Sequence, residues 1–428
     1  MKKSVMFLLV TIIVVAITFT MTLAGCKKEA VSETTTAAET TAAATTAAET
    51  TVAETTVEED MDVIDPFIVE VREPWNALKT ITDVSWIGPD GETPQLDDYL
   101  YLTKAEVEQL RAGKPDGTPY TYAVCANATS GEYALSMNAG PNSGLWEFME
   151  YCGVEQLAYT SAEFDPVKQK NDVETVLALN PDVICGYATD PVTSAESFKP
   201  VVDAGIDLAF ISTVPQGYEY GKEFIGVATN NPWEEGIYCA SKLYDLLGPE
   251  AKVGYVFYDD VYFVCNYLDQ GFKTYAEKNY PDWTIYEQGF VAETQAGEAG
   301  AAILARNPDV QGFYATYMVP AMNIVTALKE ADRLDVKVVT FGVDEPTIIN
   351  MIKGGPIKGV VTDSPYLVGM NHAIQACYAL LDKPLEQPSF VVCPTAIIDV
   401  NNIREVWEQA MHIPMSDTLL QALDEAGL

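Results

Sequence analysis

Histidine is almost missing from this 428-residue chain, which has only His372 and His412, and no two of its cysteines stand in a CxxC pair. Zinc-ligand spacing is therefore excluded, and neither a metal nor a cofactor is expected. Basic residues are scarce as well: 25 Lys and Arg face 62 Asp and Glu, for a formal charge of −37. Such a surface repels phosphate backbones, so nucleic acid is not expected as a partner. No GxSxG, HExxH or Walker sequence occurs, which removes the common nucleophile, zinc-protease and nucleotide motifs. The paired acids Asp259 and Asp260 do not replace them, because neighbours on one strand point to opposite faces. A glycosidase needs carboxyls about 5–10 Å apart across one substrate. The chain does not read as an enzyme.

Residues 29–60 contain no aromatic residue and almost no large aliphatic one, so they cannot bury enough surface to offset the cost of ordering the backbone. The stretch 26–60 reads as a solvated tether. Its repeated Thr pairs argue against a helix, and whether they carry sugar is left open. Ahead of it, Lys2 and Lys3 precede an apolar and hydroxylic run from Ser4 to Gly25, the pattern of an export signal over 1–25. "LAGC", ending at Cys26, resembles a bacterial lipobox, which implies cleavage before Cys26 and a diacylglycerol on its thiol. The alternative is an uncleaved span, since about 20 apolar residues cross a bilayer. Either way the remainder lies outside the cytoplasm, tied to the membrane.

With 48% hydrophobic residues, the part beyond residue 60 can bury large cores and exceeds one ordinary domain. Residues 61–118 form an N-terminal extension in which Thr103 and Glu106 have capping-box spacing. After residue 118, short β-rich runs alternate with segments of helical period: strands are predicted at 120–126, 156–160, 182–187, 206–212, 253–258, 284–288, 310–315, 337–342 and 357–362. Alternation of this kind means an α/β fold with parallel sheets covered by helices on both faces. "LNPDVICGYA" at 179–188 returns as "RNPDVQGFYA" at 306–315, so two similar lobes are the economical reading. Several strand ends carry Asp or Asn just before Pro, as at Asp165, Asn231 and Asp344, the chemistry of a helix cap. The remaining cysteines, Cys125, Cys152, Cys185, Cys239, Cys265, Cys377 and Cys393, sit mostly in apolar runs, where a free thiol behaves as a small hydrophobe. A bridge between Cys125 and Cys185 is left open.

Seven stretches, "FDPVKQKNDVETVLALNPDVI", "VVDAGIDLAFIS", "VATNNPWEEG", "NYLDQGFKTYAEKNYP", "LARNPDVQGFYA", "VVTFGVDEP" and "MIKGGPIKGVVTDSPYLVG", resemble in order the sugar-binding periplasmic-type binding proteins of ABC importers, the ribose-binding-like group. The resemblance covers roughly 119–412. It implies two doubly wound parallel-sheet lobes, 119–230 plus 364–395 and 231–363 plus 396–428, joined by a three-stranded hinge near Asn230–Pro232, Asp363–Ser364 and Pro394–Ala396. Ligand would lie between the lobes, at the carboxyl ends of the strands, where open α/β sheets bind ligands in general.

Carried over from the family, the ligand contacts fall on Asn127, Tyr133, Tyr187, Ser212, Thr213, Asn231, Asn266, Tyr317, Asp344 and Asp363. Carboxylates and amides can hold adjacent hydroxyls, and aromatic faces pack on a sugar's C–H face. Tyr258, Tyr262 and Phe263 are either further wall or core, while Trp146 and Trp407 read as core. Two departures stand out. The family's frequent Asp-Arg clamp is replaced by Ser212 and Thr213, and its Asn-Asp or Trp-Asp by Tyr317 and Met318. A less polar sugar, a polyol, a cyclitol or a nucleoside-like solute is then plausible. The implied partner is an ABC permease, served by a monomer held at the membrane through its lipid; a sensor kinase or chemoreceptor is the alternative.

Overall fold

The computed structural model describes residues 63–428 apart from Lys79 and Ser130. The export signal, Cys26 and the tether lie outside the described residues. Thirteen strands are found in that range: β1 (Gln95–Leu96), β2 (Thr121–Ala126), β3 (Glu155–Ser161), β4 (Val183–Gly186), β5 (Asp207–Ile211), β6 (Gly226–Thr229), β7 (Lys252–Tyr258), β8 (Thr284–Phe290), β9 (Gly312–Ala315), β10 (Lys337–Phe341), β11 (Ile357–Thr362), β12 (Phe390–Val392) and β13 (Ala396–Ile398).

They form two sheets, ordered β1-β12-β6-β5-β4-β2-β3 and β13-β11-β10-β9-β7-β8. The central order 6-5-4-2-3 of the first is repeated as 11-10-9-7-8 in the second, and the recurring NPDV phrase leads into β4 and β9, which hold the same place in each. Every pairing is parallel except β11 with β13. That exception has a simple cause. The chain leaves the first sheet at the carboxyl end of β12 and enters the second sheet from its carboxyl edge, so β13 must run against its neighbour. The inner strands β4, β6 and β9 are short and buried on both faces, as covered parallel sheets require.

Three segments cross between the sheets. β6 leads into the helix Pro232–Leu247, which packs on β9, β10 and β11; β11 leads into Pro365–Leu380, which packs on β4, β5 and β6; and β12 passes directly into β13. The first two crossings place a proline in the first helical turn, where no hydrogen bond is lost. Pro365–Leu380 is buried along its whole length. It approaches its neighbours so closely that a Cβ on Gly369 would lie 1.8 Å from the Met137 carbonyl oxygen.

The extension is not a loose appendage. β1 adds a parallel edge strand beside β12, and Thr103 and Glu106 form the expected capping box. Further contacts tie the extension to the crossings: Trp75 Nε1 donates to the Pro394 carbonyl at 3.0 Å, and Ile81 and Thr395 exchange backbone hydrogen bonds. Arg72, inside the same extension, bonds Asn371 of the buried helix and pairs with Asp97.

All seven cysteines of the described residues are free and buried. Cys125 and Cys185 do lie on neighbouring strands, β2 and β4, without a bond between them, and burial pushes the Cys125 thiol up to about 12. Trp407 is core, whereas Trp146 is only half-buried.

Candidate functional site

Carboxyl ends of the strands from both sheets face one another, and the loops they carry meet in three hydrogen bonds. Tyr133 Oη, from the helix Glu132–Met137 beside the first sheet, donates to Asp363 Oδ2 at the end of β11, at 2.8 Å. Tyr187 Oη, just past β4, lies 2.9 Å from Tyr262 Oη, just before the helix Phe263–Asn279. The Glu345 backbone N–H donates to Glu132 Oε2 at 2.8 Å, so a carboxylate of one lobe sits on the amino end of a helix of the other, where the helix dipole favours negative charge.

Asp363 has no solvent exposure, and its Oδ1 has no hydrogen-bond partner. Burial pushes its carboxyl up to about 7, against the pull of the Tyr133 hydroxyl. Its neighbour on the second-lobe side is Glu235, in the first turn of Pro232–Leu247, whose carboxyl is raised well above the ordinary range by burial and then by Asp363. Glu235 accepts from Asn230 Nδ2, the Asn231 N–H and Thr395 Oγ1, and so joins the first and third crossings, while Asp363 stands in the second. A pair of buried carboxyl groups thus occupies the hinge, and one of them, Asp363, has an oxygen without a hydrogen-bond partner.

Asp344 and Asp363 look alike in sequence and differ here. Asp344 caps Glu345–Ile352 by accepting from the Thr347 N–H at 2.9 Å, and is half-buried, its carboxyl raised by burial. At the other position Ser364 supplies the cap, which leaves the Asp363 carboxyl free to accept from Tyr133.

Ser212 holds a left-handed backbone, φ 54°, strained for a residue with a side chain. Its hydroxyl accepts from Thr229 Oγ1, and the turn presents the Thr213 hydroxyl, fully buried and without a partner. Asn127 follows β2 and accepts from the Ala128 N–H at 2.6 Å. Tyr317 opens the helix Met318–Glu330, its ring 6.4 Å from Phe290.

Two expected contacts are elsewhere. Asn231 has both ends of its amide engaged by the extension: Oδ1 accepts from Trp86 Nε1 and Nδ2 donates to the Asp83 carbonyl, each at 2.7 Å. It is a strut of the hinge, because both ends of its amide are bonded to Trp86 and Asp83 of the extension. Asn266 closes its own loop, accepting from the Tyr262 N–H and donating to the Asp260 carbonyl; it positions Tyr262 and does not reach the cluster as a free amide. Conversely, Glu132, Glu235 and Thr395 were missed, since nothing local marks them. Tyr262, left between wall and core, joins the cluster.

Burial and neighbouring carboxyls, hydroxyls, amides and thiols are the largest influences on Glu132, Tyr133, Tyr187, Glu235, Tyr262, Asp344 and Asp363, ahead of any lysine or arginine. The polar groups of the cluster are phenols, hydroxyls, an amide and carboxyls.

A family model described as a periplasmic binding protein domain matches residues 123–384. A search of curated proteins found no match. Among solved structures, an ABC transporter solute-binding protein from Agrobacterium vitis bound with alpha-D-tagatopyranose is 21% identical, with a TM-score of 0.60, covering 66% of this chain and 96% of that one. A solute-binding protein from Mycobacterium smegmatis with bound glycerol is 20% identical, TM-score 0.59, covering 67% and 96%. An arabinose-binding protein from Geobacillus stearothermophilus is 18% identical, TM-score 0.59, covering 67% and 98%.

Proposed function

The chain belongs to the periplasmic binding protein domain family, and on that premise we propose that it is an extracytoplasmic receptor for a small polyhydroxylated solute, a sugar or polyol, which it delivers to an ABC permease. The observation that carries this reading is Asp363, a buried carboxyl in a hinge crossing with one oxygen unbonded and the other held across the cleft by Tyr133. Solute entering between the lobes takes over the Tyr187 and Tyr262 hydroxyls from one another, and supplies the bond that Asp363 lacks beside the one from Tyr133. It contacts both lobes at once and so favours the closed arrangement over the open one. Fold neighbours described with tagatose, glycerol and arabinose support the solute class. The lipid on Cys26 keeps the receptor beside its permease, at the outer face of the membrane.

The test is thermal unfolding of the full chain against monosaccharides, polyols, cyclitols and nucleosides. A solute at about 100 times its Kd stabilises by roughly 2.7 kcal/mol, a shift of a few degrees. One compound raising the melt, with the rise lost in Asp363→Asn, is the expected result; no rise with any compound overturns the reading.

A further inference from the structure

We infer that the solute carries a positive charge, as an amino sugar or amino polyol does. The inference rests on the receptor reading above and concerns the same cleft. Three observations lead to it.

The first is the balance of hydrogen-bonding groups. Asp363 Oδ1 is a buried acceptor with no donor, and Glu132, which feels Asp344, and Asp344 itself each use one carboxyl oxygen on a backbone N–H and have a second oxygen to offer. An ammonium group has three donors and no acceptor, whereas a neutral hydroxyl brings one donor and two lone pairs that need donors in turn. Acceptor-rich walls suit the former.

The second is the field. Glu132, Glu235, Asp344 and Asp363 stand at the cluster and the hinge, and the strongest influences on them are burial and other acidic or neutral groups. Burial holds Glu235 and Asp363 toward their neutral forms, and a cation pairing with the ionised carboxylate offsets the cost that keeps it protonated, which a neutral solute does not do. An anionic solute is repelled.

The third is aromatic. Tyr133, Tyr187 and Tyr262 bring three phenol groups to the strand ends of the two lobes, and an aromatic face turned to a cation attracts it more strongly once water is excluded. The chain's charge of −37 acts in the same direction at longer range, since it raises the encounter rate of cations and lowers that of anions.

Titration calorimetry of the full chain with matched pairs decides the matter: D-glucose with D-glucosamine, D-galactose with D-galactosamine, sorbitol with N-methylglucamine, and glycerol with 2-amino-1,3-propanediol. At least one amine should bind more than about 10-fold tighter than its neutral parent, the scale of a charge-assisted over a neutral hydrogen bond. That preference should fall about 10-fold or more in Asp363→Asn, which keeps the shape and removes the charge. Asp344→Asn, at the half-buried cap, serves as a second variant and should weaken the same amine by a smaller factor. Neutral parents binding as tightly as the amines, or an amine that binds Asp363→Asn unchanged, overturns the inference and leaves the receptor reading in place. Silence from both halves of every pair removes the inference and the reading together.

Discussion

Trp86 is the point at which the extension can be tested without touching the cleft. Its indole is 5% exposed, donates to Asn231 Oδ1 at 2.7 Å, and lies 5.5 Å from the Tyr267 ring, 5.9 Å from Phe390 and 6.3 Å from Phe263. Phe390 belongs to β12 of the first sheet, and Phe263 and Tyr267 to a helix packed with the second. One side chain therefore joins both lobes and a hinge crossing. Trp86→Ala removes a large buried ring, at about 3–5 kcal/mol, and also strips the buried Asn231 oxygen of its donor. Trp86→Phe keeps most of the packing and isolates the second effect, about 1–3 kcal/mol for an acceptor left unsatisfied. Urea unfolding should show the midpoint dropping in that order, with the slope little changed because the same surface is exposed. Backbone exchange at Asn231 and Thr395 should speed up in the alanine variant before the interior of either sheet does. A loss below about 1 kcal/mol for Trp86→Ala refutes the reasoning, since no buried tryptophan docked this way is so cheap to remove.

Two further outcomes follow from the interior. Asp269 accepts from the Tyr258 N–H, Tyr314 Oη and Thr316 Oγ1, each at 2.8 Å, so Asp269→Ala should cost about 3 kcal/mol or more while Asp269→Asn costs less; calorimetric melting of both separates them. Stability should also fall between pH 6.5 and 8. Burial raises Asp363 and Asp269 from 3.8 to about 7, so their contribution is complete below the unfolded value and is lost as pH rises through 7, by on the order of 1 kcal/mol per group across that window. His372 and His412, held down at about 4 from 6.5 by burial, act in the opposite sense as pH rises from 4 through 6.5 and offset part of that loss at the lower end of the window. A melting temperature that climbs from pH 6.5 to 8 contradicts this.

The repeated phrase before β4 and β9 disclosed the two-lobe plan because it is the same structural unit twice, with apolar residues on a buried strand after a helix. β6, whose residues are only "GVAT", and the three-residue strands β12 and β13 carry no comparable period. β6 and β12 exist because neighbours on both sides supply partners, and β13 because β11 does; that is tertiary information. The same limit explains the site. Cap chemistry and cleft chemistry use the same residue types, so Asp363 separates from Asp344 only when Ser364 is seen to hold the cap. Asn231 was drawn away by Trp86, which lies 145 residues earlier, and Glu132 acquired its role from an N–H 213 residues later. Contacts at such separation leave no local trace.

Hydrogen exchange of the full chain, with and without a pooled panel of sugars, polyols and their amino analogues, tests the central claim most directly. If solute is taken between the lobes, peptides carrying Asn127–Met137 on one side and Tyr258–Asn266 on the other become protected together, and Asp363→Asn abolishes both effects. Protection confined to one lobe, or appearing instead away from the strand ends, contradicts it.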